Sequence, residues 1–344
     1  MIADLLPIID KFTNKRIMVV GDMIADIYLE GTISRVSREA PVLVLAYAGE
    51  TMVPGGGANV VHNVAVLAGY VNAAGVIGED AAGRELVALL KDKHTDTTGL
   101  IIDPARPTIT KTRITAGGQA TVRQQVVRID RESQALLDKE IEDLLLAHIQ
   151  NSIVDMDGVI LSDYGCRVIT PQIIEHTIER CKAMDIPCIV DSRYNVLNFK
   201  GATIIKQNEA EAAAAVGIDI KDKKSLLAAG QELEKRLTAR AVLITRGAQG
   251  MTLFGEAGTV THIPVTNISE VYDVSGAGDT VVAVMALALA AGAAVADAAR
   301  LANAAAGVVV RKLGTATAKP EELKNAVRQY YGSGRSNSEG IEYL

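Results

Sequence analysis

Gly158-Val159-Ile160-Leu161-Ser162 is a short apolar run with no polar face. Three similar runs follow at 187–191, 202–206 and 241–245, each separated from the next by a helical segment. A strand that is apolar on both faces must be covered on both. Such strands alternating with helices predict an α/β fold with a mostly parallel central sheet sandwiched by helices. Outward from this block, 17–21 reads as another buried strand ending in a Gly-Asp turn, and 73–78 as a further strand. Segments 58–68, 81–93 and 137–150 read as helices, as do 277–291, 295–312 and 321–331. Segments 251–254 and 259–265 read as antiparallel edge strands. Two β-rich excursions interrupt the rhythm, 27–53 and 107–130, the second a hairpin around Gly117-Gly118. The expected organisation is a single domain over 1–331 with a small β-sheet lid built from those excursions, suited to closing over a small substrate, and a flexible tail at 332–344.

Composition narrows the function classes. The 344 residues are 49% apolar with no Trp and 3% aromatics, so the core is built from Ala, Val, Leu and Ile. Lys plus Arg number 35 against 41 Asp plus Glu, a net charge of -6, which argues against a general nucleic-acid binder. Cys166, Cys181 and Cys188 lack CxxC spacing and read as reduced thiols of a cytoplasmic protein. The five histidines form no metal-ligand spacing. Residues 1–15 lack the basic start and apolar run of a signal peptide. The Ala-rich run 280–299 comes closest to a membrane span, but Gly292 and Asp297 interrupt it, and a buried helix with no membrane partner is expected.

Asp273-Val274-Ser275-Gly276-Ala277-Gly278-Asp279-Thr280 carries the chemistry. It precedes a long apolar helix. Gly276 and Gly278 permit close backbone approach to a ligand, and the free N–H groups at a helix start suit an anion. A carboxylate in that turn, Asp279, can accept a proton from an attacking hydroxyl. The same spacing also suits an ordinary helix cap. No Gly-x-x-x-x-Gly-Lys-Ser/Thr run exists, which excludes a P-loop, and no Gly-x-Gly-x-x-Gly opens the first βα unit.

The segment resembles the second signature of the ribokinase (PfkB-type) family of carbohydrate kinases. Gly55-Gly56-Gly57-Ala58-Asn59 resembles its first signature, and Gly21-Asp22 with Asp26 its opening sugar-binding strand. Asn208-x-x-Glu211 resembles its magnesium-phosphate element, and Thr245-Arg246-Gly247 with Gly250 its nucleotide-side turn. The resemblance implies a ribokinase-like fold and an enzyme using ATP and Mg2+. It implies Asp279 as base, and Gly276, Ala277 and Gly278 as an anion hole. It implies Asp22, Asp26, Gly56 and Asn59 as sugar ligands, Asn208 and Glu211 at Mg2+ and the phosphates, and Thr245, Gly247, Gly250, Asn303 and Gly307 near ATP. Asp273 and Ser275 stand where family members bind a monovalent cation such as K+, with Ser in place of the usual Thr.

Within the family the chain is most similar to kinases of D-glycero-β-D-manno-heptose 7-phosphate. Similar stretches include Ser37–Val42, Thr110-Lys111-Thr112-Arg113, Arg128-Ile129-Asp130, Leu161-Ser162-Asp163-Tyr164 and 303–310. This adds Asp163 to the sugar side and implies transfer to the anomeric hydroxyl. The chain departs from that group at Cys166-Arg167, at Asp191-Ser192-Arg193 and in a longer hairpin, so another free or phosphorylated sugar stays open, as does a non-catalytic sensor on the same fold. Lys111, Arg113, Arg123 and Arg128 put four cations on the second excursion of an acidic chain. That suits a clamp for a phosphorylated sugar, and equally a solvated hairpin face. Lid pairing implies a homodimer. Ending at Leu344, the chain is expected to lack the adenylyltransferase half that some of these kinases carry.

Overall fold

A computed structural model of the chain describes residues 2–91, 95–117, 124–255, 258–266, 273–332 and 340–343. The main sheet contains β1 (Arg16–Gly21), β4 (Tyr70–Gly78), β5 (Thr95–Asp103), β8 (Gly158–Asp163), β9 (Cys188–Ser192), β10 (Ile204–Asn208) and β11 (Ala241–Thr245). The antiparallel β12 (Met251–Phe254), β13 (Thr259–Ile263) and β14 (Gly340–Tyr343) extend it. The order is β14-β13-β12-β11-β10-β9-β8-β1-β4-β5, parallel from β11 to β5. β5 was not read from the sequence because its Thr-Asp-Thr-Thr start hides the apolar half. β14 lies inside the segment expected to be a flexible tail and forms the sheet edge outside β13.

Successive residues of the central strands feed opposite faces. Ile17 and Val19 join the core layer with α1 (Ile2–Asp10), α2 (Gly57–Val66), α3 (Ala81–Lys91), α8 (Ala277–Ala290), α9 (Val295–Val309) and α10 (Pro320–Gly332). Met18 and Val20 join the other layer, with α4 (Lys139–Ser152), α5 (Pro171–Ala183), α6 (Glu209–Val216) and α7 (Lys223–Leu237). Period-two alternation with both faces apolar is why these strands read as unbroken runs. α8 is buried on every side from Asp279 to Ala288, which explains an apolar helix without a polar stripe. Among the described residues no helix is long and apolar enough to cross a membrane.

The second sheet is the expected lid, with order β3-β2-β6-β7: β2 (Met23–Val36), β3 (Leu43–Gly56), β6 (Ile109–Gly117) and β7 (Gln124–Arg131). β6 runs parallel to β2, so the two excursions are stitched side by side rather than stacked as separate hairpins. β2 and β3 are each 14 residues long, and their inner ends reach the main sheet. Arg123 and Val271-Tyr272 lie outside the described residues.

Candidate active site

Asp22 follows β1, Asp163 ends β8, Asp191 and Ser192 end β9, Asn208 ends β10 and Thr245 ends β11. The carboxyl ends of parallel strands are where open α/β sheets bind ligands. Polar side chains converge here because the strands stop being apolar only at their last residues.

The first turn of α8 closes this crevice. Gly276 has φ 76°, and a Cβ there would lie 2.7 Å from Asn59 Nδ2, so glycine serves both the backbone and the neighbour. The space lets Asn59, on α2, donate to Asp279 Oδ2 at 2.7 Å, while the Tyr164 hydroxyl donates to Oδ1 at 2.7 Å. Thr280 Oγ1 donates to Asn63 Oδ1 and Asn63 Nδ2 donates to the Asn59 carbonyl, locking α2 to α8. Burial pushes the Asp279 carboxyl up to about 6. The Asn59 and Tyr164 hydrogen bonds limit the rise, Asp191 adds to it and Lys206 opposes it.

Lys206 Nζ pairs with Asp191 Oδ2 at 2.8 Å, both side chains buried. Burial alone would lower the amine's pKa, but the Asp191 and Glu211 carboxylates raise it, so the lysine is a buried cation. A Cβ at Gly278 would lie 2.8 Å from Lys206 Nζ, which sets the ammonium directly against the turn expected to hold an anion. Beside this turn opens a cavity of about 760 Å³. Its walls include Asn208 and Thr245 from the strand ends, Glu211 from α6, Gly247 and Gly250 from the turn after β11, Asn303 and Gly307 from α9, and residues 274–279. Thus every residue expected near ATP lies on one cavity with Asp279. Asn303 Nδ2 donates to the Pro264 carbonyl, which fixes that wall.

Asn208 and Glu211 form a capping box at α6: Asn208 Oδ1 accepts the Glu211 N–H and Glu211 Oε2 accepts the Asn208 N–H, both at 2.8 Å. Among the described residues no three His, Cys, Asp or Glu side chains cluster to hold a metal alone. One lining carboxylate, Glu211, beside Asn208 fits Mg2+ as kinases carry it, on substrate phosphates with few protein ligands. Asp273 and Ser275, expected at a monovalent cation, lie on the loop before α8. The Asp273 oxygens accept the N–H groups of Ser275 (2.8 Å) and Gly314 (3.0 Å), so the carboxylate ties the 273–275 loop to 314.

The residues expected on the sugar side, Asp22, Asp26, Gly56 and Asn59, do not line that cavity, and Asn59 and Tyr164 connect them to Asp279. Asp22 is fully buried, its Oδ2 accepting the N–H groups of Tyr164 (2.7 Å) and Cys166 (3.1 Å). Burial, then the Asp163 charge, pushes it up to about 6. Gly56 has φ 51°, turning the chain so that the Gly57 N–H reaches the Asp22 carbonyl at 2.9 Å. Asp26 pairs with Arg113 at 2.8 Å.

Asp163 accepts from the Gly165 N–H (2.9 Å) and the Ser192 hydroxyl (2.6 Å), which ties the loop after β8 to the end of β9. The cations of the second excursion do not form a free cluster. Arg113 is committed to Asp26 and its guanidinium lies over the Tyr28 ring, and Arg128 makes a two-pronged pair with Asp130 (2.7 and 2.5 Å). Lys111 is the one cation of this group, among the described residues, with no carboxylate partner, and its Nζ lies 5.8 Å from the Tyr164 ring centroid.

Tyr164, Asp191, Arg193 and Lys206 were not singled out from the sequence as site residues, yet all line the cavity. Lys206 did leave a signal. A lone lysine in an apolar parallel strand must find a buried partner, and Asp191 at the end of the adjacent strand is the nearest register position.

Comparison with known proteins places this geometry. Arabidopsis thaliana ribokinase, solved with ribose and ATP, superposes with a TM-score of 0.72 at 20% identity, covering 91% of this chain and 99% of that one. Escherichia coli phosphofructokinase-2, solved with substrates and products, gives 0.71 at 20% identity over 92% and 99%. The fold is therefore ribokinase-like. The sequence pattern of the pfkB family carbohydrate kinases matches residues 14–322, and the chain belongs to that family. The bifunctional protein HldE of Geobacter sulfurreducens is 40% identical over 328 residues, 95% of this chain and 66% of that protein. HldE of Desulfatibacillum aliphaticivorans is 43% identical over 319 residues, 92% and 64%. The chain thus spans a little under two thirds of the length of these curated relatives.

Proposed function

We propose that the chain is an ATP-dependent kinase that transfers the γ-phosphoryl group to a sugar phosphate, with the anomeric hydroxyl of D-glycero-β-D-manno-heptose 7-phosphate as acceptor. The observation that carries this reading is the place of Asp279. It is a buried carboxylate with a raised pKa, in the first turn of a helix, lining a nucleotide-sized cavity and bridged by Tyr164 to the buried Asp22. The acceptor hydroxyl, held by Asp22, Asp26, Gly56 and Asn59, gives its proton to Asp279 as its oxygen attacks phosphorus. Negative charge on the transferred group meets the N–H groups of Gly276, Ala277 and Gly278 and the ammonium of Lys206. Mg2+ bound with ATP would neutralise phosphate charge, with Glu211 and Asn208 holding it. A different phosphorylated sugar is the second reading, favoured by the departures at Cys166-Arg167 and Asp191-Ser192-Arg193, beside the ends of β8 and β9.

With Arg113 and Arg128 paired, the phosphate clamp falls chiefly to Lys111. Lys111→Ala is expected to raise KM for the sugar phosphate about tenfold, the worth of one charged hydrogen bond, and to leave KM for the dephosphorylated sugar unchanged. Equal use of both sugars by the wild type would remove the clamp and the heptose 7-phosphate assignment together.

The lid exposes Val36, Val42, Leu43, Tyr47, Val127 and Ile129. An apolar sheet face of this kind needs cover, and we assign it to a second copy. Light scattering at micromolar concentration is expected to give the mass of a dimer, and Val42→Lys with Tyr47→Lys that of a monomer. A monomeric wild type would contradict the pairing. We place the enzyme in the cytoplasm, where three buried free thiols suit a reducing compartment.

A further inference from the structure

The transfer derived above gives Tyr164 no part, although it touches both carboxylates that flank the acceptor. Its hydroxyl donates to Asp279 Oδ1 at 2.7 Å, and its backbone N–H donates to Asp22 Oδ2 at 2.7 Å. Its ring carries two cations. Arg193 Cζ lies 4.3 Å and Lys111 Nζ 5.8 Å from the ring centroid, within the range where a cation is attracted to an aromatic face. The tyrosine is therefore held at its backbone, its ring and its hydroxyl by residues of different elements.

We infer that Tyr164 is a positioning residue for the base: together with Asn59 it sets the plane of the Asp279 carboxylate toward the acceptor hydroxyl. The inference rests on the reading of Asp279 as the base.

A carboxylate turns easily about its last torsion, because that well is broad. Asn59 at Oδ2 alone would leave the plane free to swing. A second donor at Oδ1, from the loop after β8, fixes it. Each carboxylate oxygen has two lone pairs, so the acceptor hydroxyl still finds an open one. The tyrosine does not compete as a base. Burial, and then the Asp279 charge, hold its hydroxyl well above its ordinary pKa, so it stays a donor at working pH. Its position also links the substrate ends. Lys111, on the lid strand β6, and Arg193, on the cavity wall, both bear on the ring whose hydroxyl aims the base. A lid that shifts Lys111 thereby bears on the group that orients the carboxylate.

The test is Tyr164→Phe, which keeps the ring for both cations and removes only the hydroxyl. The expected result is a kcat about tenfold or more below wild type, with KM for the sugar phosphate changed less than about threefold. The acid limb of the kcat–pH profile should also move to higher pH, because one donor that stabilises the ionised carboxylate is gone. Asp191, Lys206, Arg193 and Asn59 act on the same carboxylate and are unchanged in the variant, and substrate phosphates titrate alike in both enzymes. A moved limb therefore belongs to the lost hydroxyl. Its position is also independent of how much protein folds. A limb in the wild-type position overturns the inference whether or not kcat falls, since a merely structural tyrosine would lower the active fraction and leave the limb in place. Asp279→Asn, run beside it, separates the two ideas. If it keeps activity, the base reading fails and this inference with it. If it is inactive while Tyr164→Phe behaves as wild type, only the role of Tyr164 fails.

Discussion

Asp279→Asn is expected to lower kcat by about 10²–10⁴-fold while ATP affinity stays nearly intact. The substitution keeps the size of the side chain and one oxygen that can still accept from Asn59 or Tyr164, so the first turn of α8 keeps its shape. What disappears is basicity. Stability should move the other way. The wild-type carboxyl has a folded pKa raised from 3.8 to about 6, so its stabilising contribution is present below the unfolded value and is lost as pH rises through about 6. At pH 8 the asparagine variant, free of that buried charge, should melt at or above the wild-type temperature, and this advantage should vanish as pH falls toward 4. Calorimetry and ADP release on the same samples check both halves. A variant keeping more than about a tenth of wild-type kcat contradicts the assignment of the base.

Lys206→Met should be the most damaging single change to the fold near the site. Lys206 and Asp191 are both nearly inaccessible, and removing one member leaves an uncompensated buried charge, which costs about 3–5 kcal/mol in such pairs. The loss is read from the urea midpoint. The same variant should lower kcat, because the ammonium against Gly278 stands where transferred charge develops. Adding Asp191→Asn should restore much of the stability and none of the rate. Recovery of both would mean that Lys206 only neutralises Asp191, and an unchanged urea midpoint in Lys206→Met would mean that the pair contributes nothing.

The central architecture was readable because β8 to β11 are buried on both faces, and burial leaves an unbroken apolar run whose only polar residues mark the site end. The glycines of 276–278 were readable for the same kind of reason, since few other residues fit a turn pressed against Asn59 and Lys206. The ion pairs of the lid cations were not readable because they depend on register. Only once Lys111 stands opposite Asp26 and Asp130, and Arg113 opposite Tyr28 and Arg128, does it emerge that the two arginines are each committed to an acid. Tyr164 was hidden because its partner lies 115 residues away in the chain.

The central claim is phosphotransfer from ATP to a sugar phosphate, and the most direct measurement is ADP release with product detection by ³¹P NMR. The substrates are D-glycero-β-D-manno-heptose 7-phosphate, its dephosphorylated form, and phosphorylated pentoses and hexoses, each with Mg2+ and ATP. The account predicts one ADP per sugar consumed with the heptose 7-phosphate, a new resonance from a phosphate on the anomeric carbon, and little turnover without the 7-phosphate. No ADP above background with any phosphorylated sugar would contradict it.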